Sequence, residues 1–222
     1  MSDVLTEAQQ AVRAAVDTHA CFTCSFQAED VALLHLLIRE RPDLPVLFLE
    51  TGYHFSATTA FRDRLRSAWN LNLINLQSTL SRAGQEAQHG RLYESDPTRC
   101  CQIRKVEPLM SGLEPYDVWF TGLRREQSPT RANLQIEEQH RLPTGKLLRK
   151  ISPLARWTWR DVMAYTTANE IPLLSLYQEG YTSIGCEPCT RKPADADNPR
   201  SGRWGGHKLE CGIHTFTDKG AA

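Results

Sequence analysis

The chain has 222 residues, 41% of them hydrophobic, and its 26 Lys+Arg balance 26 Asp+Glu to a formal net charge of zero. That length and apolar content suffice for one sizeable core, so a single domain is the default, and the charge balance speaks against nucleic acid or an acidic membrane as partner. No apolar run approaches the roughly 20 residues needed to cross a bilayer, and the opening MSDVLTEAQQ lacks a basic stretch followed by an apolar one. A cytoplasmic location is therefore expected, and the seven cysteines read as ligands, nucleophiles or core residues rather than as a disulfide framework.

In chain order, VLTEAQQAVRAAV carries apolar residues at Val4, Leu5, Ala8, Val12 and Val16, the stripe of a helix. ACFTCSF follows as a buried strand, EDVALLHLLIRER as a helix and PVLFLE as a second strand. FSATTAFRDRLRSAW reads as helix, LNLINL as strand, TRCCQIRKVEPL as helix, DVWFTG as a short strand and TWRDVMAYTTANE as helix. From about Arg191 to Gly206, a stretch rich in Pro, Gly and charge reads as a flexible connection to the tail. Strands alternating with helices predict an α/β fold: one domain with a mostly parallel sheet flanked by helices, binding substrate at the carboxyl ends of its strands.

Two strand ends carry candidate binding chemistry. SFQAED, Ser25 to Asp30, lies where the first strand turns into a helix, so its backbone N–H groups and the helix dipole can hold a phosphate. LETG, Leu49 to Gly52, ends the second strand, and Gly52 permits close backbone approach to a ligand. There is no GxxxxGK[ST] and no GxGxxG, which removes the P-loop and dinucleotide readings.

The cysteines divide by spacing. Cys21 and Cys24 are three apart in a strand, where side chains alternate faces, and so read as core. Cys186 and Cys189, in GCEPC, sit in a turn forced by glycine and proline, which lets two sulfurs converge. Cys100 and Cys101 are adjacent in a helix, a pair that suits a single tetrahedral zinc poorly but can reach different irons of one cluster. Four thiolates thus favour a 4Fe-4S centre, with zinc second and a redox disulfide third. The seventh cysteine, Cys211, stands in the polar tail HKLECGIH, where Lys208 and His214 can favour the thiolate and Gly212 leaves room beside it.

Taken together, SFQAED, LETG, CCQIRKVEPL, TGLRREQSPTR, PLARWTWRDVMAY, GYTSIGCEPCTR and KLECGIH resemble the assimilatory sulfonucleotide reductases, most closely the cluster-containing adenylyl-sulfate (APS) reductases. The resemblance runs from about Cys24 to His214. It implies an adenine nucleotide alpha hydrolase-like fold related to the ATP pyrophosphatases, with residues 1–190 as the nucleotide-binding domain with the iron-sulfur site and 191–222 as a mobile C-terminal segment carrying the catalytic cysteine. It implies reduction of APS to sulfite and AMP, in sulfate assimilation toward cysteine, with external thioredoxin as electron donor. Cys211 would be the nucleophile that forms an S-sulfocysteine and expels AMP. Cys100, Cys101, Cys186 and Cys189 would hold one 4Fe-4S cluster.

Further roles follow by position. The resemblance puts Ser25, Phe26, Leu49 and Gly122 near the adenosine, and matches Arg200 and Arg203 to an arginine pair that grips phosphate and sulfate oxygens. Lys105, four residues beyond Cys101, can face both the cluster and the phosphosulfate. Arg124 and Arg125 are further substrate candidates, and His214 can assist Cys211 or the leaving phosphate. Two departures stand out: Gln27 where many members have glycine, a residue that would resist a positive φ, and Gly205-Gly206 where an aromatic run is usual. A phosphoadenylyl-sulfate (PAPS) reductase or a dual-specificity enzyme is the first alternative. A tRNA thiolase should carry an intact SGGKDS-type loop and a basic surface, neither of which is visible, and an iron-sulfur sensor would need neither LETG nor ECGIH. A homo-oligomer is compatible with all of these readings.

Overall fold

Helix α1 (Ser2–Arg13) opens the computed structural model, which describes residues 2–195, 198–206, 210 and 212–213. Then come β1 (Ala20–Thr23), α2 (Ala28–Glu40), β2 (Val46–Glu50), α3 (Ser56–Ala68) and β3 (Leu73–Gln77). A helical excursion follows: α4 (Arg82–His89), α5 (Leu92–Ser95), α6 (Pro97–Cys101), a π-helical turn over Gln102–Val106, and α7 (Glu107–Leu113). The chain returns through β4 (Val118–Thr121), a hairpin of β5 (Glu137–Arg141) and β6 (Leu147–Ile151), and α8 (Trp159–Ala168).

The six strands form one sheet in the order β3-β2-β1-β4-β6-β5, parallel throughout except for the β5–β6 pair. The chain runs outward from β1 through β2 and β3, then resumes on the other side of β1 with β4. The strand order reverses beside β1, so the crevice at that point opens at the carboxyl ends of β1, β2 and β4.

Period-two alternation sets the layers. Ala20, Phe22, Cys24 and Phe26 point into the main core with α1, α2 and α8, whereas Cys21 joins Leu47, Leu109, Leu113 and Trp119 on the opposite face, under α7. Cys21 and Cys24 therefore face opposite sides of the sheet, as the strand reading requires. Among the described residues, no helix is long and apolar enough to cross a membrane.

Three differences from expectation have simple causes. Helix α1 ends at Arg13 rather than Val16, and Ala15 and Val16 are buried from the turn that follows it. The β5–β6 hairpin was not expected; β5 is an edge strand on which only His140 is buried, so EEQHR shows no apolar alternation. The described part of the segment expected as a flexible connection folds back on itself. Arg191 N–H donates to Gly202 O at 2.8 Å, Arg203 N–H donates to Arg200 O at 2.9 Å, and Arg203 and Trp204 are buried.

Candidate active site

A cavity of about 720 Å³ occupies the crevice at the strand ends. The turn between β1 and α2 contributes Ser25, Gln27, Glu29 and Asp30, the end of β2 contributes Leu49 and Thr51, and the end of β4 contributes Gly122 and Arg124. Lys105, Arg131, Ile184, Cys186, Arg200, Arg203 and Glu210 also line it.

The β1–α2 turn is held together by its own polar groups. Ser25 donates its N–H and its hydroxyl to Asp30 Oδ2, at 2.6 and 2.5 Å. Gln27 N–H donates to Ser25 Oγ at 3.4 Å, and Ala28 N–H donates to the Tyr177 hydroxyl at 3.0 Å. The amides expected to cradle phosphate are thus engaged by side chains, and two acids stand at the start of α2. Burial raises the Asp30 carboxyl from 3.8 to about 7, with Glu29 adding to the rise and the Ser25 bonds and Arg131 opposing it. Glu29, also buried, accepts a short hydrogen bond from Gln127 Nε2.

Positive φ in this turn falls on Phe26 (60°), not on Gln27, whose φ is −75°. Phe26 is 0% exposed, with its ring edge-on to Phe48, so the left-handed backbone is tied to an aromatic anchor in the core. The side chain of Phe26, expected near the adenosine, thus packs in the core beneath the turn. Gln27 instead links the turn to the cysteine loop, its Oε1 accepting from Ile184 N–H at 2.8 Å. Gly122 is fixed by close approach: a Cβ there would run into the Asp30 carboxylate and come within 3.3 Å of Asp30 Cα.

At the end of β2, Leu49 lines the cavity, but Gly52 is exposed and outside it. Its φ of 73° makes the turn that follows the strand. The hydroxyl of Thr51, between them, lies 3.3 Å from Cys186 Sγ and accepts the Tyr53 N–H at 3.2 Å. His54 Nε2 donates to Leu49 O at 2.8 Å, and burial lowers the pKa of that imidazole.

Beyond Thr51 a small recess is lined by Cys100, Cys101, Cys186 and Cys189, with Tyr53, Arg104, Lys105 and Trp204. The adjacent cysteines end α6 where the chain enters the π turn, a local widening that recurs at functional sites. Gln85 Nε2 donates to Cys100 Sγ at 3.8 Å, and its orientation is set by Arg104, whose Nε donates to Gln85 Oε1 at 2.7 Å. Burial, reinforced by Cys186, pushes the Cys189 thiol up to about 11, while Lys105 opposes the rise. Cys100 is raised in the same way. All six described cysteines are free thiols. Among the described residues no three His, Cys, Asp or Glu side chains converge on a single-ion site. Four cysteine side chains nonetheless line this one recess, a set of soft sulfur donors of the kind that hold iron-sulfur centres.

Lys105, Cys186 and Trp204 line both the recess and the large cavity, so the two spaces share a wall. Arg203 is buried, stacks on Trp204 at 4.5 Å and occupies the space a Cβ on Gly185 would need. Its Nε has no hydrogen-bond partner among the described residues, an arrangement that suits an anion. Arg200 reaches Ser183 Oγ at 3.4 Å. Arg124 is buried, pairs with Glu126 at 2.7 Å and lies over the ring of Trp159. Arg125 donates Nε to Leu134 O at 2.8 Å, which ties it to its own loop. Cys211 and His214 lie outside the described residues.

Expectation omitted Glu29, Asp30, Gln127, Tyr177, Arg131 and Glu210 as site residues. Their partners are as distant in sequence as Gln127–Glu29 and Arg131–Glu210, 98 and 79 positions apart, and no local pattern connects them.

Residues 19–192 match the family described as phosphoadenosine phosphosulfate reductase domain. An adenosine 5'-phosphosulfate reductase of Rhodococcus opacus (strain B4) is 43% identical over 195 residues, covering 87% of this chain and 78% of that protein. The crystal structure of phosphoadenylyl-sulfate (PAPS) reductase from Candida auris, in its phosphate complex, is 27% identical with a TM-score of 0.68, over 81% of this chain and 88% of that one. The Candida glabrata FMN adenylyltransferase, 14% identical with a TM-score of 0.61 over 86% of this chain and 68% of its own, shares the fold alone.

Proposed function

The chain belongs to the phosphoadenosine phosphosulfate reductase family, and from that premise we propose that it is an assimilatory adenylyl-sulfate reductase, an oxidoreductase acting on sulfur. Its fold is of the adenine nucleotide alpha hydrolase-like class. The observation that carries the reading is the shared wall: one cavity at the strand ends, rimmed by Lys105, Arg200 and Arg203, adjoins a recess of four cysteine sulfurs.

The reaction divides into two balanced steps. The thiolate of Cys211 attacks the sulfur of adenylyl sulfate, forming an S–S bond as the sulfur–oxygen bond to AMP breaks, and AMP leaves with the electron pair. One thiol of a thioredoxin-type dithiol then attacks the Cys211 sulfur, sulfite leaves, and the second thiol closes the donor's disulfide. Two electrons pass from the dithiol to the sulfate sulfur, and Cys211 is restored. Lys105, Arg200 and Arg203 would grip the phosphosulfate oxygens, Ser25, Leu49 and Gly122 would border the adenosine, and His214 would assist the leaving phosphate.

Cys100, Cys101, Cys186 and Cys189 would hold one 4Fe-4S cluster. Their sulfurs meet in one recess, and the Thr51 hydroxyl and Gln85 amide lie in position to donate to two of them. When bound, such a group supplies a compact charge beside Lys105. Residues 1–190 would form the nucleotide-binding body and 191–222 the segment that brings Cys211 to it, in the cytoplasm.

The test is sulfite release from adenylyl sulfate and from its 3'-phosphorylated analogue in parallel, each with reduced thioredoxin. Faster release from adenylyl sulfate is expected. Preference for the phosphorylated nucleotide would favour the second reading, which the likeness to the Candida auris enzyme supports, and no sulfite from either would overturn both.

A further inference from the structure

Glu210 is the residue immediately before Cys211, and it is among the most heavily engaged carboxylates in the protein. Arg131 grips it bidentately, Nε to Oε1 at 2.9 Å and Nη2 to Oε2 at 2.6 Å, and Thr130 Oγ1 donates to Oε1 at 3.1 Å. Arg200 adds a fourth contact, at 3.8 Å. Both partners of the main pair are nearly closed off from solvent, with 11% and 10% of their side chains exposed, and both line the large cavity. Arg131 is itself backed by Gln127, which bonds in turn to Glu29 at the start of α2. Glu210 is thus tied through the 124–131 loop to the first helix of the site.

The other flank of Cys211 is seated differently. Ile213 packs against the apolar cluster that contains Val106, the last residue of the π turn, and lines the same cavity. Gly212, with φ 94°, brings its backbone to the Val106 side chain: a Cβ there would sit 3.6 Å from Val106 Cγ2. An ion pair on one side and an apolar contact on the other bracket a single residue, which is the proposed nucleophile.

We propose that Arg131 and Glu210 are positioning residues: their ion pair fixes the residue that follows Glu210 for its attack on sulfur. The inference rests on the reading of Cys211 as nucleophile. A bidentate guanidinium–carboxylate pair fixes direction as well as distance, which a reaction needing an in-line approach to sulfur requires.

The experiment compares wild type, Glu210→Gln, Arg131→Glu, and the exchanged pair Arg131→Glu with Glu210→Arg. Two quantities are read: the rate of sulfonation of Cys211 by adenylyl sulfate in a single turnover, and the rate of alkylation of Cys211 by iodoacetamide in nucleotide-free protein, both by mass spectrometry. Glu210→Gln is expected to slow sulfonation on the order of tenfold, from weakening charge-assisted hydrogen bonds, and to speed alkylation. The thioredoxin-dependent release of sulfite from preformed sulfocysteine, a step that follows the attack, should slow far less than sulfonation does. The exchanged pair should recover slow alkylation relative to Arg131→Glu alone, which separates docking from any direct contact of Arg131 with substrate. Unchanged alkylation in Glu210→Gln, or an exchanged pair no better protected than Arg131→Glu, overturns the docking role. A wild type that never becomes sulfonated overturns the nucleophile assignment instead, and the alkylation rates still decide the latch.

Discussion

Ser25 and Asp30 close the β1–α2 turn on itself, with the backbone N–H and the hydroxyl of Ser25 both donating to one oxygen of the Asp30 carboxylate. Burial raises the Asp30 pKa from 3.8 to about 7 despite those bonds. Between these values the folded protein holds a proton that the unfolded chain has released, so stability falls as pH rises from about 4 through about 7 and levels off above. Asp30→Asn, neutral at every pH, should flatten this slope: thermal melts at pH 5 and pH 8 should differ less for the variant than for wild type. Equal slopes would mean that the carboxyl is already ionised in the fold at pH 5.

Gly122→Ala places a methyl group against the Asp30 carboxylate and the backbone of α2. Overpacking of this kind costs about 1–3 kcal/mol, and the displaced helix start is also a wall of the cavity. A lowered melting temperature together with weaker AMP binding by calorimetry is expected; wild-type affinity would separate Gly122 from the nucleotide.

Removing a sulfur from the recess should not resemble removing one from the core. Cys186→Ser and Cys101→Ser are expected to lose bound iron and sulfite release together, whereas Cys21→Ser should keep both at a stability cost of about 1 kcal/mol. Metal analysis of anaerobically purified wild type should find about four irons per chain. Stoichiometric zinc would overturn the cluster assignment.

Lys105 lies on the wall common to recess and cavity and counteracts the rise in the Cys189 thiol. Lys105→Ala should slow S-sulfocysteine formation on the order of 10²-fold, the loss typical of one preorganised charged contact, while leaving iron content intact. Cys211→Ser should abolish sulfonation altogether and keep AMP binding. A sulfonate found on Cys24 by mass spectrometry would move the nucleophile into the core of the protein.

The parallel core of the sheet was legible because its strands are buried on both faces and its helices carry regular stripes: VLFLE and VWFT need no context to read as strands. The four recess cysteines were legible because CC and CxxC are local patterns. What stayed hidden was non-local or polar. The β5 edge strand presents charge to solvent, so its pairing depends on β6 and not on its own sequence. The tie between Arg131 and Glu210 crosses 79 positions, and each of its members alone reads as a solvated surface charge. Phe26 and Gly52 were read as ligand contacts because their motifs end strands; that the ring of the first is a core anchor and the second sets the turn after β2 depends on packing that no local pattern announces.

The π turn at Gln102–Val106 also limits how this protein can diverge. Such a turn carries an extra residue relative to a regular helix, and dropping it would rotate everything after it by about 100°. Cys100 and Cys101 precede the turn, whereas Val106 and the core-facing Leu109 and Leu113 stand at its end and beyond. A one-residue deletion would leave every side-chain type in place yet turn the cysteine pair away from Cys186 and Cys189, or else pull the apolar face off the sheet. Between Cys100 and Leu109, descendants of this chain should differ in letters but agree in count.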